Sequence, residues 1–177
     1  MSLIQTEDSK SPSARVRATY AQIEKAFGRV PNAMAVFSAS PTLLEQQWES
    51  IQYYRNHPTL GFPLLAMIRM LVSQENRCEY CVGFNAAMLM EVCGLSADQI
   101  AAVKRDPANA PLEEKDRAML NLVLKAVHTP LEVQAADLDR VRALGWRDGE
   151  IFDAVAHGAR NLAVDVIFNT FKIDRDF

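Results

Sequence analysis

Cys78, Cys81 and Cys93 fall inside one short segment of a chain that has no other cysteine. Two of them form a C-x-x-C motif, Cys78-Glu79-Tyr80-Cys81, at the expected start of a helix. Residues three apart share a helix face, so the two sulfurs can come within bonding distance. The free N–H groups and the positive dipole end of a helix start favour a thiolate there. An ordinary thiol, with a pKa of about 8.5, is only a few per cent ionised near neutrality, and lowering it by roughly two units makes most of it nucleophilic. The same residues also read as half of a zinc site, which lacks two further ligands, or as two inert buried cysteines. Cys93 lies twelve residues beyond Cys81 on the same expected helix and cannot share a metal with the pair. It reads as a structural residue in the last turn before Gly94. Thiol redox chemistry, metal binding and plain burial therefore all remain open on these residues alone.

The elements that must position the pair are helical throughout. Pro63 opens an apolar helix with Leu64, Leu65, Ile68, Leu71 and Val72, in which Arg69 is the one charge. Asn76 and Glu79 fit a capping box that would start the cysteine helix, which Tyr80, Cys81, Phe84, Met88 and Val92 continue to Gly94. Earlier, Val16, Tyr20, Ile23 and Phe27 keep helical spacing before a stop at Gly28. Pro31 opens a short helix with Met34 and Phe37. Ser40-Pro41 starts a helix with Leu44, Trp48 and Ile51 on one face. Residues 56–61 read as a loop. Beyond the cysteines, Ser96 and Gln99 form a second capping box, and Met119, Leu122 and Val123 mark a further helix. Thr129-Pro130 begins one that runs to Gly145. The last helix, with Ile151, Val155, Leu162 and Val166, is apolar nearly all round, as a helix buried centrally or covered by another subunit would be. The turns Gly94-Leu95 and Gly145-Trp146 echo each other, followed at matching offsets by Gln99-Ile100 and Glu150-Ile151. No alternating strand pattern is present. The expected fold class is all-α, with about eight helices and no sheet, as a polar arm over residues 1–12 and a single domain over 13–177.

Composition agrees and removes other classes. The chain has 177 residues, 49% hydrophobic and 23% charged, with a net charge of −3. That is enough to bury one substantial core without disulfides or a structural metal. A mildly acidic chain has no basic stripe to neutralise phosphates, so nucleic acid is not an expected partner. No apolar run approaches the roughly 20 residues of a membrane span, and no membrane association is expected. The first residues lack the basic start and apolar stretch of a signal peptide, and the cysteine count suits no secreted framework, so a cytoplasmic location is expected.

The run from Ile68 to Ala87, which holds Cys78-Glu79-Tyr80-Cys81, resembles the carboxymuconolactone decarboxylase/AhpD-like superfamily, in particular its alkylhydroperoxidase, peroxidase-related branch. The later Gly145-Trp146-Arg147-Asp148-Gly149-Glu150-Ile151 resembles the same proteins' C-terminal portion, and the likeness spans roughly residues 30–172. It implies an all-helical fold of helical hairpins, assembled as a homo-oligomer (trimer, hexamer or dimer). It also implies an antioxidant thiol peroxidase in which Cys81 attacks a small-molecule peroxide and Cys78 resolves it as a disulfide. A dithiol protein would be the reductant, with no cofactor and no metal.

Two positions depart from that pattern. The superfamily's glutamate, twelve residues before the first cysteine, is Ala66 here, and its histidine, four after the second, is Asn85. Asn85 can hold a water or donate a hydrogen bond but cannot act as a base near neutrality. General acid–base assistance is typically worth roughly 10²–10⁴-fold in rate, so a slower enzyme is expected. A carboxylate beside the sulfur, from Glu75 or Glu79, would raise a thiol pKa, whereas Arg77 would lower it. Tyr80 could donate a hydrogen bond, or simply pack. His157 is the long-range candidate to replace the missing base, next to a Gly158 that permits close approach of another helix. His57 reads as a loop residue and His128 as a helix C-terminal one. Against the oxidoreductase stand a catalytically silent oligomeric binding or scaffold protein and a carboxymuconolactone decarboxylase-type lyase; the lyase rests on fold alone.

Overall fold

The computed structural model describes residues 2–7 and 11–177. Among these there are nine α-helices, three short 3-10 turns and no strand, so the all-α expectation holds. The helices are α1 (Ala14–Phe27), α2 (Asn32–Ala35), α3 (Pro41–Arg55), α4 (Phe62–Glu75), α5 (Glu79–Cys93), α6 (Ala97–Arg105), α7 (Glu114–His128), α8 (Ala135–Ala143) and α9 (Asp148–Phe171). No helix among the described residues is long and apolar enough to cross a membrane.

The chain divides into two compact units, one of residues up to Asn56 with Phe168–Phe177, the other His57–Ile167. In the first, Ser13 caps α1 by accepting from the Val16 N–H, and Gly28 ends it at a φ of 77°, where any side chain would be strained. Val16, Tyr20 and Ile23 bury the inner face of α1, and Leu44 and Trp48 that of α3. The Trp48 indole N–H donates to Gln22 Oε1 at 2.9 Å, which satisfies its one polar atom. The chain ends are tied down within this unit. Leu3 N–H donates to the Phe171 carbonyl at 2.8 Å, and the Asp176 carboxylate takes up Asn32 N–H and Arg29.

The second unit is built around α4. Leu64 through Ile68 and Met70 through Ser73 are buried, so this helix, apart from its first turn and Arg69, is enclosed on nearly every side. It packs on α5 and α7. Of the two expectations for the last helix, central enclosure or cover by another subunit, the first does not hold: unlike α4, α9 leaves Phe152 75% and Val166 59% exposed within the chain. The difference lies in what is interspersed. Apart from Arg69 and the final Gln74 and Glu75, α4 is apolar or small around its full circumference, whereas α9 alternates Ala156, Ala159 and Ala163 with polar residues. Gly158 lets α9 approach closely: a Cβ there would lie 2.7 Å from Val123 Cγ1 and 3.0 Å from Val127 Cγ2. The stretch from Thr129 to Gly145 is not one helix. A 3-10 turn at Pro130–Glu132 ends first, and Gln134 and Asp137 then cap α8 reciprocally. The echo at the two glycine turns is geometrically real. Gly94 and Gly145 both take positive φ, and the N–H groups of Ser96 and Arg147 are caught by Gln99 and Glu150, three residues on.

Candidate functional site

The turn between α4 and α5 decides where the cysteines stand. Cys78 N–H donates to the Ser73 carbonyl at 2.9 Å and Arg77 N–H to Gln74 at 3.1 Å, the paired bonds of a Schellman stop. That stop needs a left-handed residue, and Arg77 occupies it at a φ of 54°. Cys78 thus closes α4 and is the N-cap of α5, and Cys81 sits in the first turn. This corrects the expected capping box at Asn76 and Glu79. Asn76 instead ends α4, where its side-chain amide donates to the Val72 carbonyl at 3.0 Å.

Both thiols are free and buried, and a carboxylate faces them. Sulfur atoms of Cys78 and Cys81 and an oxygen of Asp165 on α9 all lie within 4.8 Å of one another. Asp165 is fully buried. Its Oδ1 accepts from Ser73 Oγ at 2.8 Å, and its Oδ2 from the amides of Asn76 at 3.2 Å and Asn161 at 3.3 Å. Burial pushes its carboxyl above the ordinary range, while Ser73, Asn76 and the two thiols pull it back. The Cys81 thiol is raised well above an ordinary cysteine. Its hydrogen bond with Cys78 is the largest cause, followed by burial and the negative charges of Cys78 and Asp165. The helix start alone predicts an easily ionised thiol, but burial and the carboxylate outweigh the helix terminus at Cys81. The rule that a neighbouring carboxylate raises the thiol is right in kind, but the residue is Asp165. Glu75 and Glu79 are exposed.

A second polar group adjoins the first. Arg69 on α4 donates from Nε to Asn85 Oδ1 at 2.7 Å and from Nη1 to His157 Nε2 at 3.2 Å. Asn85 is buried, and its own amide donates to the Cys81 carbonyl at 2.8 Å. Burial lowers Arg69 to about 10, while the charge of Cys81 acts in the opposite direction. His157 drops to about 3, first through burial and then through the charge of Arg69, against a hydrogen bond to the Leu65 carbonyl. It is therefore a neutral acceptor that holds Arg69. Asn161 spans the two groups by donating to Ser73 Oγ at 2.8 Å and to the Arg69 carbonyl at 3.4 Å.

The other sequence candidates separate from this cluster. Tyr80 is buried and stacks on Phe84 with ring centroids 6.2 Å apart. Arg77 is exposed and acts through its backbone. His57 pins its loop. Its Nδ1 accepts from Leu60 N–H at 3.0 Å, so Nε2 carries the proton shared with Asp153 at 3.2 Å. Ala66 is buried in α4. Ser73, Asn161 and Asp165 were not among the sequence candidates. As metal ligands, Cys78, Cys81 and Asp165 are one short of a closed structural zinc site, and both Asp165 oxygens already accept from other side chains.

A C-x-x-C pair at a helix start inside an all-helical unit, faced by a buried carboxylate, defines the chain as a protein of AhpD-like fold. Solved structures agree. It superposes with a TM-score of 0.86 and 22% identity on the alkylhydroperoxidase AhpD core of an uncharacterized peroxidase-related protein from Ralstonia eutropha JMP134, covering 99% of this chain and 92% of that one. An uncharacterized peroxidase-related protein from Silicibacter sp. TM1040 matches with the same TM-score, 0.86, at 18% identity over 99% of this chain and 92% of that one. An AhpD-type protein of unknown function from Agrobacterium tumefaciens, assigned to antioxidant defence, matches at 0.66 and 20% identity over 80% of this chain and 95% of that one. No protein-family model and no curated protein matches the chain.

Proposed function

We propose that the protein is a thiol-dependent peroxidase in which Cys81 is the nucleophile, Cys78 the resolving cysteine and Asp165 the proton acceptor. The observation that carries this reading is the buried Asp165 carboxylate within reach of both sulfurs. It supplies a base where Ala66 and Asn85 supply none. The Cys81 proton passes to Asp165 as the sulfur attacks the distal oxygen of a hydroperoxide. The O–O bond breaks, Cys81 becomes a sulfenic acid, and the alkoxide leaves as alcohol after taking a proton. Cys78, giving up its own proton, then attacks the Cys81 sulfur and displaces the hydroxyl as water, which forms the disulfide. A dithiol protein returns both thiols by exchange and is itself oxidised. In sum, one hydroperoxide and two thiols yield one alcohol, one water and one disulfide.

The test is a stoichiometric dose of cumene hydroperoxide followed by thiol counting and mass spectrometry. Wild-type protein is expected to lose two thiols and gain a Cys78–Cys81 disulfide. Cys78→Ser is expected to stop at a Cys81 sulfenic acid that dimedone traps, and Cys81→Ser to consume no peroxide above the uncatalysed rate. Unchanged consumption by Cys81→Ser overturns the reading.

A further inference from the structure

Arg69 has a place in the site that the peroxidase chemistry above does not use. Its two side-chain partners, Asn85 Oδ1 and His157 Nε2, are both neutral, and no carboxylate pairs with it among the described residues. These bonds engage Nε and one Nη1 proton. They leave Nη2 and the second Nη1 proton without an acceptor among the described residues. Removing a cation from water costs several kcal/mol unless an anion or a full set of acceptors replaces the water. Here the protein holds the group on a rigid mount of two neutral acceptors and leaves its remaining donors to solvent. Asn85 is 2% and His157 7% exposed, and each is itself anchored to a main-chain carbonyl, of Cys81 and Leu65 respectively. The mount leaves Arg69 itself partly open to solvent. The Cys81 sulfur acts on Arg69 as an anion only when the thiol ionises, and burial and its hydrogen bond with Cys78 oppose that ionisation.

A fixed, partly exposed guanidinium with free donors and no carboxylate partner among the described residues is complementary to an anion arriving from outside. Its planar fork matches a carboxylate, which two N–H groups can grip at once. We propose that Arg69 is the specificity determinant of this site and that the oxidant is a hydroperoxide bearing a carboxylate, whose anionic group docks on Arg69 while its peroxide meets Cys81. This inference rests on the peroxidase reading for the identity of the reacting group, but the carboxylate docking is separable from it. Asn85 and His157 are positioning residues in this arrangement.

The experiment compares cumene hydroperoxide with its para-carboxylate, two probes with the same O–O bond that differ in charge. Single-turnover oxidation of the reduced full chain is expected to be about tenfold or more faster with the carboxylate at low salt. Added chloride should erode only that advantage. Arg69→Gln should collapse the carboxylate-to-neutral rate ratio toward one, and Arg69→Lys should retain part of the preference. A wild-type ratio near one overturns the proposal. So does an Arg69→Gln variant that slows both probes equally, because that result assigns Arg69 to thiolate stabilisation. Binding of the unreactive para-carboxylated cumyl alcohol, measured by calorimetry on wild type and Arg69→Gln, gives a readout independent of peroxide consumption. If that alcohol binds both proteins equally, the carboxylate site does not exist. If it binds only wild type while neither peroxide oxidises Cys81, the docking site stands and the peroxidase reading falls.

Discussion

The two charged groups of the site, Asp165 and Arg69, are built from the same three helices and treated in opposite ways. Asp165 is closed in: a hydroxyl, two side-chain amides and the thiols all point at its oxygens. Arg69 receives two neutral acceptors and retains unused donors. Yet both are shifted by burial in the direction of their neutral forms. On the proposed reading, a carboxylate surrounded by donors serves an internal task, the exchange of a proton with a neighbouring sulfur. A guanidinium on a rigid mount with free donors is organised for something the chain does not itself contain.

The largest effect expected from this contrast is at the closed group. Asp165→Asn removes the proton acceptor and should slow Cys81 oxidation by about 10²–10⁴-fold at neutral pH, as losses of general bases do. It also removes a negative charge and an acceptor that hold the thiol pKa up. The pH midpoint for alkylation of Cys81 by iodoacetamide should therefore move down, toward an ordinary cysteine. A residue with only a packing role would not produce a slower peroxide reaction together with an easier ionisation. If both rates fall with the midpoint unmoved, Asp165 is structural.

How much of this was legible in the sequence depended on whether the signal was local. The C-x-x-C pair, the helix starts at Ser40 and Ser96 and the stops at Gly28 and Gly94 are short-range patterns, and the structure keeps them. The capping box at Asn76 failed because a tertiary preference, the left-handed turn at Arg77, moved the helix start two residues on. Asp165 was invisible to motif reasoning because it lies more than eighty residues from Cys81 and joins the pair only through packing of α9. A weaker signal existed. His157, Asn161 and Asp165 recur at i, i+4 and i+8 on an apolar helix, and Arg69 and Ser73 at i and i+4 on another. Polar residues in register on a buried face must meet partners.

The open group makes the next prediction, on stability. His157 titrates near 3 in the folded chain and near 6.5 unfolded, so the unfolded chain binds the extra proton across that window. Stability is fully present above pH 6.5 and should be lost at up to about 1.4 kcal/mol per unit as the pH falls. Protonation would end the acceptance from Arg69 Nη1 and place two cations together, with Arg160 adding to the repulsion. Asp165 has the opposite sign. Its raised carboxyl takes a proton in the folded state first, so it adds stability on acidification. His157→Gln should therefore flatten the fall in melting temperature between pH 6.5 and 4.5, before Glu150, held near 2, begins to contribute. An acid limb unchanged in His157→Gln would assign the sensitivity elsewhere.

The smallest effect expected is also the most direct probe of closure around Asp165. Ser73 Oγ donates to Oδ1 and in turn accepts from Asn161, so Ser73→Ala deletes one donor to the carboxylate and one acceptor from the amide. The loss should be about 1–3 kcal/mol of stability, the range for stranding a buried polar group. With a donor to its charged form removed, Asp165 should hold its proton more tightly, and its carboxyl should rise further. A carboxyl already protonated cannot accept from Cys81, so the peroxide reaction should slow at low pH and recover at high pH. The pH–rate profile should thus shift upward with its plateau nearly intact. Asp165→Asn, by contrast, lowers the plateau itself. If Ser73→Ala also lowers the plateau at every pH, the hydroxyl takes part in moving the proton, and the closed group extends one residue further along α4.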